Sequence, residues 1–378
     1  MRYIIAGDSH GPEMVGILEG LPAGLSLDLK KINEDLERRQ KGYGRGERMK
    51  IEKDQARVVG GLWKGVTTGA PLVIAIANKA GNPVTDVRSI PRPGHADFSA
   101  WCRYRLPDLN VYVERASARS TAPLVALGSV AKQFLEHFGI RVYGYVLSIG
   151  PVGAQEIPEC LHDLLKRRDA SPVSCPDEEA SKRMIEEIER ARKEGETLGG
   201  ALRVLATGVP AGLGGYSHPL ERLDARIAAH IMAVPSVKGV FIGNEDVSIP
   251  GSRYHDEFVL EDGKLKRSSN NAGGIEGGIT NGEPVRVTVY LKPIPTLARG
   301  LRSVDLRSGK GVSAPYIRSD VTVVPAAVIV AEAVLALVLL EAFLERFGSD
   351  NLDSIRRRWE QDESFPRWDD GFWKKHSG

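Results

Sequence analysis

One pattern occurs twice in this chain, and it restricts the fold more than any bulk property does. Residues 65–79 read GVTTGAPLVIAIANK and residues 278–292 read GITNGEPVRVTVYLK. Gly, Thr, Gly, Pro, the alternating aliphatics and a closing Lys all align. A weaker third copy, GETLGGALRVLA, occupies 195–206. Period-two alternation after a Gly-x-Thr-x-Gly segment predicts a glycine turn feeding a strand. A strand unit used more than once predicts a core with approximate internal symmetry.

The bulk properties narrow the class. A chain of 378 residues fills one large domain or two ordinary ones. No low-complexity stretch reads as a linker. A net charge of +2 gives no general case for nucleic acid, so any basic site must be local. Cys102, Cys160 and Cys175 are too few and too widely spaced for a disulfide framework or a zinc site, which points to a reducing compartment. The start runs straight into Tyr3-Ile4-Ile5-Ala6 with no long apolar signal region. The long apolar stretch from Val321 to Leu340 contains Glu332 and reads as a buried core helix rather than a membrane span.

Local patterns give candidate elements. Arg2 to Ala6 reads as a strand. Pro12 to Glu19 reads as a helix, with proline in its first turn, where no N–H is needed. Ser9 and His10 then sit in a strand-to-helix loop, a place where backbone N–H groups meet anions. Asp28 caps a second helix with Ile32 and Leu36 inward. That helix delivers Arg38 and Arg39 at its end and stops at Gly42. A helix over 123–138 carries an apolar stripe from Leu124 to Phe138 and stops at Gly139. Residues 174–194 form a charged surface helix, with Ser174 and Asp177 at its start and Gly195 at its end. The last thirty or so residues interleave Arg356, Arg357, Arg358 and Trp359 with acids, and read as a tail docked on the body or on a partner subunit.

Two histidines stand in small-residue contexts, Gly7-Asp8-Ser9-His10-Gly11 and Arg92-Pro93-Gly94-His95-Ala96-Asp97. Histidine moves protons near neutrality. Structural histidines satisfy either context equally well. From Arg38 to Lys53 there are seven basic residues and two acids. Such a run is usually a solvated face, but Gly42-Tyr43-Gly44 between arginines also suits a planar or phosphorylated ligand. Arg115 to Thr121 reads either as an anion cradle at a helix start or as a simple cap. Ser268 to Gly278 is a glycine loop without a following helix, so it is no dinucleotide fingerprint. Asp320 before the apolar helix reads as a cap.

In this order, GDSHG, RRQKGYGR, RPGHAD, RASAR, Val234 to Val240, SNNAGGIEGG, LKPIPT and RSD resemble the chorismate synthase family over almost the whole chain. The resemblance implies an α+β fold, a β-α-β sandwich with internal pseudo-symmetric repeats. It implies a single large domain over 1–378, with a C-terminal tail from about residue 350. The implied activity is a carbon–oxygen lyase of the shikimate pathway, serving aromatic amino acid biosynthesis. It is the anti-1,4-elimination of phosphate from 5-enolpyruvylshikimate 3-phosphate to give chorismate, dependent on reduced FMN. NADPH is a candidate reductant. The implied form is a cytoplasmic homotetramer with no nucleic-acid or membrane partner and no metal. The alternative is a flavin- or phosphate-binding homologue without elimination activity.

By the same resemblance, His10 matches the acid for the departing phosphate and His95 the histidine that protonates reduced flavin at N1. Asp320 matches the aspartate beside flavin N5 that helps remove the substrate proton. Ser9, Arg39, Arg45 and Arg119 match groups for the phosphate of substrate or NADP. Arg115, Ala116, Ser117, Pro235, Ser236, Gly278, Lys292, Pro293, Ile294, Pro295, Thr296 and Arg318 match FMN-contacting positions. Asp8 and Ser120 stand where the family usually has Glu. Arg318-Ser319-Asp320-Val321 replaces the usual Arg-His-Asp-Pro.

Overall fold

The computed structural model describes residues 1–45, 53–79, 86–261, 264–316 and 320–362. Two antiparallel sheets enclose a layer of helices. The first sheet holds β1 (Arg2–Gly7), β2 (Glu13–Glu19), β3 (Ala56–Gly60) and β4 (Leu72–Ala77) in the order β1-β2-β4-β3. The second holds β5 (Arg141–Ile149), β6 (Val152–Gly153), β7 (Gly200–Thr207), β8 (Val237–Ile242) and β9 (Val285–Leu291) in the order β8-β9-β7-β5-β6. The longer helices are α1 (Leu29–Gln40), α2 (Asp97–Tyr104), α3 (Asn110–Ala116), α4 (Thr121–Glu136), α5 (Leu161–Ala170), α6 (Glu178–Glu194), α7 (Leu223–Met232), α8 (Val324–Phe347) and α9 (Leu352–Glu360).

Helices α1, α4, α7 and α8 form the middle layer. α4 packs on β2 and β4, α8 packs on β5 and β7, and α8 also touches α1, α4 and α7. Nearly every residue of α8 is buried, which explains an apolar run without a polar face. The two central helices approach closely at Gly128, where a Cβ would fall 2.2 Å from that of Ala333. The fold is thus an α+β sandwich of two sheets with helices between. Beyond it, α9 lays Trp359 against Phe138, Phe343 and Phe347.

The sequence repeat is a structural repeat. The two strong copies supply β4 and β9, each paired on both sides, β4 with β2 and β3, β9 with β7 and β8. The threonines of the turns make the same bonds. Thr67 Oγ1 donates to Pro22 O at 2.7 Å and accepts from Leu25 N at 2.9 Å. Thr280 Oγ1 donates to Pro210 O at 2.6 Å and accepts from Leu213 N at 2.8 Å. The third copy supplies β7, which is the neighbour of β9 and occupies the place that β2 holds beside β4.

Several expectations change. Pro12 to Glu19 is not a helix but contains β2, which buries Met14, Gly16 and Leu18 in strict alternation. Gly16 fits closely there, since a Cβ would press on the Leu127 and Pro123 side chains at 3.1–3.2 Å. The loop carrying Ser9 and His10 therefore joins two strands, and no helix N-terminus meets an anion in it. Helix α4 is buried almost all round rather than on one stripe, because both sheets and α8 surround it. The cap of α6 is Asp177, which accepts from Ala180 N, not Ser174. Gly195 ends that helix in the left-handed conformation, as read.

Candidate functional site

Helix α1 is capped by the Asp28 side chain, buries Ile32 and Leu36, and brings Arg38 and Arg39 to its last turn. Arg39 is buried and gives one hydrogen bond of 2.7 Å to Asp54 Oδ2. Arg119 approaches the same carboxylate from the short turn before α4, at 2.5 Å from Oδ1. Two guanidinium groups thus share one buried carboxylate. Arg45 is near enough to repel Arg39, and pairs with Asp320 at 2.7 Å. Burial pushes the Arg39 group down, and Asp54 opposes this while Arg45 and Arg119 reinforce it. Arg39 Nε is buried without a hydrogen-bond partner among the described residues. Three guanidinium groups and two carboxylates, Asp54 and Asp320, thus meet in one largely buried cluster.

His10 lies at the edge of this cluster, at the turn between β1 and β2. Its Nδ1 is 2.6 Å from Glu114 Oε1, and its backbone N–H donates to Glu114 Oε2 at 2.7 Å. A carboxylate only accepts, so Nδ1 carries hydrogen. Ser9 is buried, its Oγ 3.2 Å from the same Nδ1. The hairpin loop is held to the arginines by Asn78 at the end of β4, which bonds both to the loop and to Arg119.

The second histidine has its own carboxylate. His95 Nδ1 is 2.6 Å from Asp97 Oδ1. Asp97 is fully buried at the first turn of α2 and is gripped by Arg92 Nε at 2.9 Å and Nη2 at 3.1 Å. Burial works to raise the Asp97 carboxyl, but the bonds from His95 and Arg92 hold it well below the usual carboxylate range. Arg92 also reaches Thr296 Oγ1 at 3.4 Å, and Lys292 Nζ donates to Gly94 O. The segment after β9 is thereby tied to the His95 turn.

Pro235 and Ser236 join the two groups. They line one cleft with Arg39, Arg45, Ala118, Thr121 and the start of α8. Ser236 O accepts from Lys292 N at 2.9 Å. Ser236 has a positive φ of 72°, a strained state for a residue with a side chain.

A family model described as Chorismate synthase matches residues 1–344. The chain belongs to the chorismate synthase family. It is 57% identical to the chorismate synthase of Thermotoga maritima over 376 residues, covering 100% of both chains. It is 46% identical to that of Carboxydothermus hydrogenoformans, covering 95% of this chain and 97% of that one. A crystal structure of chorismate synthase superposes with a TM-score of 0.79 at 36% identity, covering 95% of this chain and 96% of that one. The chain is accordingly a chorismate synthase by activity, a lyase of the shikimate pathway.

Against the family pattern, most matched positions assemble and some do not. Of these, Arg39, Arg45, Pro235 and Ser236 line the cleft itself. Asp320 is linked to it by its pair with Arg45, Arg119 by the carboxylate it shares with Arg39, and the His10 loop by Asn78. Lys292 is linked to it through Ser236 O and ties in the His95 turn through Gly94 O. Gly278 is not brought there within this chain. It opens the turn before β9 and Lys292 follows that strand, about 20 Å away by strand rise. Arg115 spends its guanidinium on Gly7 O at 2.6 Å and Ile5 O at 3.1 Å, clamping β1. Ala116 and Ser117 stand beside it, and Ser117 Oγ accepts from Arg119 N. Arg318 lies outside the described residues.

Asp320 is no cap, since α8 begins at Val324 and Thr322 Oγ1 serves Val324 N at 3.3 Å. Tyr43 does not clasp a ligand in the cleft. Its hydroxyl bonds to Glu189 and its ring faces Arg192, both on α6. Sequence reasoning missed Asp54, Asn78, Arg92, Asp97 and Glu114. Asp97 had a signal, two residues after His95 in a tight turn. Glu114 is 104 positions from His10 and had none.

Proposed function

We propose that the cleft is where phosphate is eliminated from 5-enolpyruvylshikimate 3-phosphate, with reduced FMN beside the substrate. The observation that carries this reading is that Arg39 and Arg45, the latter paired with Asp320, line one cleft with Pro235 and Ser236. The residues fit a flavin. Ser236 is held in a strained turn, and Gly94, at φ 77°, lets the backbone approach Pro295 where a Cβ would already touch at 3.3 Å. Pro235, Ser236 and Lys292 to Thr296 would hold FMN, with His95 at its ring. The chemistry reduced FMN supplies when bound is electron density lent to the breaking C–O bond and recovered at the end.

The chain's own groups do the rest. Arg39, Arg45 and Arg119 bind the anionic ends of the substrate and stabilise charge on the departing phosphate. His10, fixed by Glu114 through Nδ1, gives that phosphate a proton from Nε2. His95, fixed by Asp97, controls the proton at the flavin. Asp320, placed by Arg45, serves the substrate proton. Burial of the cationic cluster excludes water from the reacting centre. NADPH is the candidate reductant, against an outside electron donor, and the expected form is a cytoplasmic homotetramer. These readings rest on the family's general character.

An anaerobic assay tests the proposal. Chorismate and phosphate should form from the enolpyruvyl substrate only when dithionite-reduced FMN is present. Product without flavin, or none with folded protein and reduced FMN, overturns it. Omitting dithionite and adding NADPH decides the source of electrons.

A further inference from the structure

We infer that Asn78 is a positioning residue that sets the phosphate acid and the phosphate clamp in one rigid unit and keeps their pocket cationic. The inference rests on the functional reading above and names a residue that this reading does not use.

Asn78 follows β4, an inner strand of the first sheet. Its Nδ2 donates to Gly11 O at 2.7 Å and to Asp8 O at 3.0 Å, on either side of His10. Its Oδ1 accepts from Arg119 Nε at 2.6 Å. Its backbone N–H donates to Pro12 O at 2.9 Å. The orientation of the amide is forced. Carbonyl oxygens only accept and a guanidinium N–H only donates, so the amide cannot be turned over without losing all three side-chain bonds.

The chemical demand is specific. The position needs two donors on one atom and an acceptor on its neighbour, at the length of a two-carbon stem. Asparagine meets it. Aspartate would keep the acceptor for Arg119 but would set a second oxygen against two carbonyl oxygens. It would also add a negative charge beside Arg119, which already bonds the carboxylate of Asp54 and the carbonyl of Ala77. A neutral acceptor orients Arg119 without cancelling it. The loop of His10 and the guanidinium of Arg119 therefore move together, and Arg119 keeps its charge for the ligand.

The equivalent position in the second half supports a local function over a structural one. By the repeat, Asn78 aligns with Leu291, a buried apolar residue. The strand unit itself does not need an amide there.

Asn78→Ala and Asn78→Asp, each in the full chain, test the inference beside His10→Ala. Thermal melting first establishes that each variant is folded. Asn78→Ala should lower kcat by about 10–100-fold, since a misplacement of about 1 Å costs up to roughly that factor. Asn78→Asp should in addition weaken binding of inorganic phosphate, measured by calorimetry without turnover, by about tenfold or more relative to Asn78→Ala. A kcat loss in Asn78→Ala at an unchanged melting temperature is the part that a purely structural role would not produce. Equal phosphate affinity in the two variants, or an Asn78→Ala enzyme with wild-type kcat, overturns the inference. If Asn78→Ala does not fold, the phosphate titration of Asn78→Asp against wild type decides. If His10→Ala keeps wild-type kcat, it is the placement of the acid that fails. If His10→Ala is impaired and Asn78→Ala is not, only the inference about Asn78 fails.

Discussion

β4 and β9 are the same device at the start and a different device at the end. Both begin after a glycine turn pinned by a buried threonine, with bond lengths that agree within 0.1 Å. Both are inner strands of antiparallel sheets against the same helical layer. At their far ends they diverge. β4 leads to Asn78, which holds the His10 loop. β9 leads to Lys292, which holds the His95 turn through Gly94 O. The frame is repeated and the chemistry is not. Each half fixes one histidine, and each histidine has its own carboxylate, Glu114 or Asp97. The carboxylates differ too: Glu114 is part-exposed and Asp97 is fully buried beneath Arg92.

The sharpest way to break this comparison is to remove each histidine. His10→Ala and His95→Ala should each lower kcat by about 10²–10⁴ in folded protein. Only His95→Ala should change the pH dependence of the bound reduced-flavin spectrum. Only His10→Ala should slow phosphate release while leaving that spectrum alone. Equal spectral effects would abolish the division of labour between the halves.

The next effect belongs to the first half. Asp54→Ala leaves Arg39 and Arg119 buried beside each other without their shared carboxylate. Denaturant unfolding should show a loss of about 3–5 kcal/mol. A loss under about 1 kcal/mol would mean that the cluster is well hydrated, since exposed pairs are worth no more than that.

A smaller and deliberately symmetrical test uses the two turns. Thr67→Val and Thr280→Val each strand a buried backbone N–H and carbonyl, at a cost of about 1–3 kcal/mol. The two losses should agree within about 0.5 kcal/mol, the scatter expected of equivalent independent sites. A clear inequality would show that the halves share a shape but not its energetics.

The mildest expected effect is the acid dependence of the central layer. Glu332 on α8 is buried, and burial works to raise its carboxyl. The Arg38, Lys132 and Arg168 charges outweigh this and hold it at about 2, against 4.5 for the free group. A carboxyl lowered by folding stabilises the native state above its unfolded value and loses that contribution as protons bind. Stability should therefore decline as pH falls from about 4.5 towards about 2. Glu332→Gln should lack this part of the decline when urea midpoints are followed across the same range.

Much of this molecule was legible before any coordinate. The capped α1 ending in Arg38 and Arg39, the core position of α8 and the repeated turn and strand all rest on local pattern, which is carried by neighbours in the chain. The misreading of Pro12 to Glu19 was also local. Seven residues with three buried positions fit a short helix or a strand, and the choice was made by α4 lying close over Gly16. Within the site, the histidines and arginines stood out because their residue types are costly to place without reason. Their partners did not, because an aspartate or asparagine at a strand end is ordinary until it is seen what faces it.

The sequence by itself determined the repeat, the helix ends, the cationic segment and the family. Those follow from spacing, capping and residue order, which need no long-range contact. Only the tertiary structure decided that one carboxylate, Asp54, would serve two arginines 80 residues apart in sequence. It decided likewise that Glu114 would orient His10, and that Asn78 would face the loop rather than solvent. The physical reason is that hydrogen bonds and ion pairs are satisfied by whatever group arrives within about 3 Å, and packing of the two sheets on the helical layer chooses which group that is.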